Sequence, residues 1–372
     1  MDFGFSDEQE LLRRTARDVL ARTCPPGWIR DAIEGGGEPE AVWREASRLG
    51  WLGIGIAEED GGAGGGVIDQ VVVLEEMGRM LAPAAYAATT CGALAVATEV
   101  LHDERRGRLI PALCEGRRRA TLVAGDVRAP ADIERLAIRS SRNGGSTVLA
   151  GGPVIVPGAA GADLLVVAAQ DERGAVGVYA VDAGTAGVNV AALRGFDPSR
   201  GLARVLLDEV EVGQSERLDA GDARAAVAAA VDRATIAACA ELCGAGDRML
   251  EMTVEYAGVR EQFDRPIGSF QAVKHMCADM LVRLECSRAA VYYAALCVDE
   301  GRDDAPLATS IAKAYAGENI PLLAEDAVQV HGGIGFTWEH DIHLYVRRAK
   351  SIEQLFGSTE WHRERVARLV GV

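Results

Sequence analysis

Three short stretches in the last third of the chain concentrate the residue types that could do chemistry. Arg260-Glu-Gln-Phe-Asp-Arg-Pro-Ile-Gly-Ser-Phe-Gln271 offers two guanidiniums, two side-chain amides and two aromatic rings. A guanidinium presents a fixed fork of N–H donors that matches phosphate oxygens. Gln329-Val-His-Gly-Gly-Ile-Gly-Phe-Thr337 contains Gly332 and Gly333, whose missing side chains let backbone N–H groups approach an anion closely. Phe356-Gly-Ser-Thr-Glu360 adds a hydroxyl at Ser358 and a carboxylate at Glu360. Jointly these residues suit a bound diphosphate. Singly, each has an ordinary explanation: Arg260 in an ion pair, Phe263 and Phe270 as core, the paired glycines as a helix-ending turn.

In this order and spacing the three stretches resemble the signature of the acyl-CoA dehydrogenase family. The opening Ser6-Asp-Glu-Gln9 and the loop Glu58-Glu-Asp-Gly-Gly62 extend the resemblance to nearly the whole chain. It implies an α+β fold: an N-terminal helical domain over 1–117, a β-barrel-like middle domain over 118–215, and a C-terminal four-helix bundle over 216–372 carrying the FAD and tetramer contacts. By that similarity Arg260, Gln262, Phe263 and Gln271 contact FAD held across a dimer interface. Gln329, Val330, His331, Gly332 and Gly333 come from the neighbouring subunit, and Ser358 takes the place of a family Thr beside the cofactor. The implied reaction is α,β-dehydrogenation of an acyl-CoA thioester. A carboxylate removes the α-proton, the β-hydrogen leaves as hydride to flavin N5, and an electron-transfer flavoprotein reoxidises the flavin.

The chain departs from this pattern where the base belongs. Family members often carry a Glu immediately before the Gly-Thr/Ser dipeptide, whereas here Phe356 precedes Gly357-Ser358, and phenylalanine cannot take a proton. Other members carry the base on a different helix before an Arg, which Asp232-Arg233 resembles. Counting back from Arg260 without a gap reaches Ala234 instead, so Asp232 fits only if two residues are accommodated near the helix start. Its ordinary reading is a helix-start carboxylate favoured by the macrodipole. Glu241 lies further along the same helix and is a weaker candidate. A second departure lies in the middle domain, where Ala120-Thr-Leu-Val-Ala-Gly-Asp126 and Val154-Ile-Val-Pro-Gly158 replace the family's flavin-facing stretches; Thr121 or backbone groups would have to substitute.

Three readings follow: an active homotetrameric dehydrogenase using Asp232 or another base, a base-deficient subunit that assembles with a catalytic paralogue, and an oxidase or monooxygenase on the same scaffold. Bacterial relatives acting on steroid side chains form two-plus-two assemblies in which one subunit type carries the glutamate; this chain resembles the other type. Gly244 and Ala245, on a helix expected to line the cavity, permit a roomy pocket, but Ala-rich helices are also ordinary packing elements, so the size of the acyl group stays open.

The elements that must position these residues are legible in outline. Ser6 and Gln9 form a capping box before a helix through Leu11, Leu12 and Val19. Trp43 to Leu52, Ile68 to Leu81 and Ala84 to Leu113 have helical spacing, broken by the glycine run 61–66 and by Pro83. Short β-prone runs follow at 120–123, 147–150, 164–169, 178–181 and 205–212. From about Leu218 the chain turns helical again, first Ala-rich to Tyr256, then amphipathic with Phe270, Val273, Cys277, Met280 and Leu284 on one face.

Composition narrows the remaining classes. A net charge of −16 opposes a nucleic-acid partner, since phosphate backbones need a basic footprint. No apolar run is long enough to cross a bilayer and no basic-then-apolar leader follows Met1, so a cytoplasmic protein without membrane contact is expected. The eight cysteines show no CxxC pair or His spacing and read as reduced core thiols, with no metal site.

Overall fold

A computed structural model describes residues 4–125, 136–143 and 146–372. Helices α1 (Asp7–Thr23), α2 (Trp28–Ile33), α3 (Glu40–Arg48), α4 (Val67–Arg79), α5 (Ala85–Ala87), α6 (Ala95–Val100) and α7 (Arg106–Cys114) come first. Strands β1 (Ala120–Val123), β2 (Ile138–Asn143), β3 (Ser146–Val156), β4 (Leu164–Gln170), β5 (Val176–Asp182), β6 (Val188–Ala192) and β7 (Ala203–Val212) follow. Then come α8 (Arg224–Val259), the hairpin β8 (Glu261–Gln262) and β9 (Arg265–Pro266), α9 (Gln271–Asp299), α10 (Ala305–His331), α11 (Ile342–Gln354) and α12 (Thr359–Val370). The order is helical, mixed sheet, helical. By contacts the chain forms two compact units: a helical one (1–37, 71–82, 238–372) and a mixed one (38–70, 83–237).

In the mixed unit the sheet runs β1-β4-β2-β3-β7-β6, with β5 also paired to β4. Strand β4 is buried along its whole length, and its alternating side chains serve two cores. Leu164, Val166 and Ala168 join Leu94, Val96 and Leu113 from the helical side. Leu165, Val167 and Ala169 join Leu149, Val205 and Leu207 from the rest of the sheet. Strands β2 and β6 are additions to the sequence expectation: β2 reads Ile-Arg-Ser-Ser-Arg-Asn and lacks an apolar run, and β6 reads Val-Asn-Val-Ala-Ala and is largely exposed. The stretch expected as continuous helix over 84–113 is instead α5, a π-helical turn at Ala88–Leu94, α6 and α7.

The helical unit opens with the expected capping box: Ser6 Oγ accepts from Gln9 N at 3.2 Å and Gln9 Oε1 accepts from Ser6 N at 3.1 Å. Helix α8 is buried on every face from Ala234 to Gly246, as a central helix apolar all round should be. It crosses α4 so closely that a Cβ on Gly244 would overlap the Glu75 carbonyl oxygen, and one on Gly78 the Glu241 carbonyl oxygen. Of the two readings of Gly244 and Ala245, packing is the one found: the space at Gly244 is filled by α4 backbone, and Ala245 is fully buried. Glu75 on α4 is held by Tyr292 Oη at 2.8 Å and Arg288 Nε at 3.2 Å from α9, with Arg13 of α1 at 3.6 Å. These bonds compensate the burial of its charge and fix the register of three helices.

Candidate functional site

The first candidate surface begins where α8 ends. Arg260 N donates to Tyr256 O at 2.8 Å, and Ile267 N donates back to Arg260 O at 2.8 Å, so the chain turns through the β8–β9 hairpin. Phe263 and Asp264 at its tip both have positive φ, 54° and 58°, the conformation of a type I′ hairpin turn. The turn holds Phe263 87% exposed, although it is among the most apolar residues of the chain. Arg265 lies 4.0 Å over the ring of Phe270. Arg260, Gln262 and Gln271 are all exposed, and Gln271 starts α9, whose first backbone N–H groups have no side-chain cap.

The second part is the end of α10. Gly332 terminates the helix at φ 62° and ψ −137°, a conformation that L side chains avoid. No atom lies within 4 Å of where a Cβ on Gly332 or Gly333 would sit, so this backbone faces open space. Gln329 is exposed as well. Val330 and His331, also expected to contact the cofactor, are buried at 8% and 3% exposure and face the protein interior. In the last helical turn adjacent residues point about 100° apart, so only part of a contiguous motif can face a ligand. His331 stacks on Tyr256 with ring centroids 4.7 Å apart, which brings the glycine turn and the Arg260 end of α8 together within one chain.

The third part is the turn from α11 to α12. Phe356, at the usual base position, adopts φ 58° and its carbonyl accepts from His362 Nε2 at 2.7 Å. Burial pushes the His362 imidazole down to about 3, so the ring is neutral and Nε2 carries the donated proton. Gly357 follows at φ 97° against Trp361, and Ser358 caps α12 by accepting from Trp361 N at 3.3 Å. Lys313 of α10 is fully buried and donates to Glu353 O at 2.8 Å, holding the C-terminal end of α11. Burial lowers its pKa. Glu360 is exposed and bonded to the Ser358 hydroxyl, which lowers its carboxyl below the usual range. Lys313 and His362 were missed from sequence; Lys313 had a signal, as one of only three lysines and the one set in an apolar helix.

Helix α8 carries the two other candidate carboxylates, Asp232 and Glu241. Asp232 is 6% exposed and lies more than two turns inside α8, not at its start. The helix is α throughout Arg224–Val259, so no two-residue offset is accommodated, and Asp232 projects about 200° around the axis from Ala234. Glu241 is buried beside Arg348 at 3.7 Å, and Arg348 also donates to Ala82 O at 3.0 Å. In the mixed unit Thr121 is buried, with its hydroxyl donating to Pro157 O at 2.8 Å; Asp126 lies outside the described residues. Cys239 and Cys243 are fully buried, and burial pushes the Cys239 thiol up to about 12. Among the described residues no His, Cys, Asp or Glu cluster could hold a metal, and no helix is long and apolar enough to cross a membrane.

The first two parts fit FAD. A free guanidinium fork and open glycine backbone suit a diphosphate, and the exposed rings of Phe263 and Phe336 suit a planar ligand or a second chain. Comparison with known proteins agrees. Residues 6–117 match the acyl-CoA dehydrogenase N-terminal domain and residues 220–371 the acyl-CoA dehydrogenase C-terminal domain. The chain is 32% identical to acyl-CoA dehydrogenase IpdE2 of Mycobacterium tuberculosis over 355 residues, 95% of this chain and 94% of that protein. Its fold is similar to the Tcur3481-Tcur3483 steroid ACAD in a variant form, with TM-score 0.86, 29% identity and 98% of each chain covered. It is also similar to the ChsE4-ChsE5 complex from Mycobacterium tuberculosis, with TM-score 0.88, 28% identity and all of each chain covered. The chain therefore belongs to the acyl-CoA dehydrogenase family of oxidoreductases, whose cofactor is FAD.

Proposed function

We propose that this chain is a base-deficient, cofactor-completing subunit of a heterotetrameric acyl-CoA dehydrogenase, whose paralogous partner supplies the carboxylate that removes the α-proton. Two observations carry this reading: Phe356 stands in place of the base in the turn at 355–358, and the unbroken α8 leaves Ala234 at the alternative base position. The chemistry that FAD would supply here is acceptance of the β-hydride. Arg260 would hold its diphosphate together with the backbone N–H groups of Gly332 and Gly333, Gln262, Gln271 and Gln329 would bond its polar groups, Phe263 would offer an apolar ring, and Ser358 would offer a hydroxyl from the cap of α12. Phe356 keeps water from the turn and moves no proton.

The ChsE4-ChsE5 complex, an assembly of two named components, supports a heteromeric reading, and the steroid ACAD supports a bulky acyl group of steroid type as substrate. An electron-transfer flavoprotein as acceptor and a cytoplasmic location complete it. A second reading, autonomous dehydrogenation with Asp232 as base, is favoured by the burial of that carboxylate on α8.

Co-expression with a co-encoded homologue, followed by light scattering and flavin content, tests the proposal. A four-chain assembly of both proteins with FAD is expected. A stable, fully flavinated homotetramer of this chain that excludes the homologue would overturn it.

A further inference from the structure

We propose that His331 is a positioning residue for the cofactor: its uncharged ring, clamped between Tyr256 and His340, holds the Gly332–Gly333 turn against the Arg260 end of α8. The proposal rests on reading that surface as the FAD site. His331 is the last residue of α10, and its Nδ1 lies 2.7 Å from Ala327 O, one turn back. Nδ1 therefore carries the proton and donates, leaving Nε2 as a bare lone pair, buried and without a hydrogen-bond partner. One ring face stacks on Tyr256, centroids 4.7 Å apart at 19°. His340 leans on it at 4.6 Å and 60°. A Cβ on Gly335, inside the 3₁₀ turn Gly332–Phe336, would lie 3.2 Å from His331 Cβ, so the glycine turn folds over the same side chain.

One imidazole thus touches the last turn of α8, whose Tyr256 carbonyl accepts from Arg260 N, the glycine turn, and the loop that carries His340. The groups facing it are Tyr256 from α8, His340 from the loop and the Ala327 carbonyl from its own helix. His340 Nδ1 accepts from Ile342 N at 3.1 Å, and Asp341, His343 and Arg30 lie in its electrostatic surroundings. Among the described residues no carboxylate is within ion-pairing distance of His331. A second proton would place a charged, acceptor-less N–H between two rings, and the clamp would have to open to water. Burial, opposed by the Ala327 carbonyl and aided by His340, holds the imidazole below its usual value. The sign is fixed: the clamped form binds the proton less readily than the open form. The cradle is therefore intact above about pH 6.5 and loosens as pH falls below it.

The test is FAD affinity from about pH 8 to about pH 5 at constant salt, on protein purified with any partner it retains, alongside the melting temperature of each variant. Wild-type affinity should fall about tenfold per proton-linked pH unit on the acid side. His331→Phe keeps a ring but cannot be protonated; it should bind within about threefold of wild type at neutral pH and lose the acid limb. His331→Ala should weaken binding about tenfold at neutral pH. If the alanine variant fails to fold, the phenylalanine variant decides. An acid limb that survives in His331→Phe, or one that disappears in His340→Asn while persisting in His331→Phe, overturns the proposal while the functional reading stands. Failure of wild type to bind FAD at any pH, with or without a partner, sinks both.

Discussion

Two parts of the helical unit differ in what they retain. The surface formed by the β8–β9 hairpin and the glycine turn keeps its donors exposed, with Arg260, Gln262, Gln271 and the Gly332–Gly333 backbone all open. The turn between α11 and α12 keeps its scaffolding, with Lys313 on the Glu353 carbonyl, His362 on the Phe356 carbonyl and Ser358 as cap. In the proposed reading only its working side chain is replaced. Backbone geometry and side-chain chemistry are then separable: buried donors hold the turn whatever side chain stands at 356.

The comparison is broken most severely at Gly357. Alanine there must adopt φ 97° with its Cβ about 2.8 Å from Trp361 Cε3, which should cost about 3 kcal/mol and lower the melting temperature while the cofactor surface stays intact. Arg260→Ala should act in the opposite way. The side chain is exposed, so apoprotein stability should hardly change, but losing charge-assisted bonds should weaken FAD binding by about 2 to 3 kcal/mol, read by flavin titration.

Acid sharpens the contrast from the side of the base turn. The unfolded chain protonates His362 from about pH 6.5 downward, whereas the folded ring refuses a proton until about 3. Its contribution is therefore present above about pH 6.5 and lost as pH falls, by about 2 kcal/mol at pH 5. Chemical denaturation at both pH values should show this slope, and His362→Gln should flatten it. The smallest effect belongs to Asp232→Asn, which should leave turnover of the assembled enzyme within about twofold of wild type; loss of turnover would return Asp232 to the role of base.

How much was legible follows from the same physics. Of the residues proposed to hold the cofactor, the exposed ones were legible as candidates because a guanidinium fork and a glycine-only backbone are groups that suit a diphosphate. The capping box and strands β1, β3, β4, β5 and β7 were legible from capping chemistry and apolar runs, while polar β2 and exposed β6 were not. Val330 and His331 could not be turned inward without knowing the face α10 buries. Gly244 reads as spare room or as packing until α4 is seen to fill it. The two-residue offset of Asp232 was visible in sequence, but its consequence depends on α8 being unbroken.

In the proposed reading this chain binds FAD but takes no proton by itself. An anaerobic titration of the flavinated chain with acyl-CoA, followed by visible absorption, separates the alternatives. No bleaching is expected from the chain alone, and bleaching once the paralogue is present; bleaching by the chain alone, abolished by Asp232→Asn, would overturn the proposal.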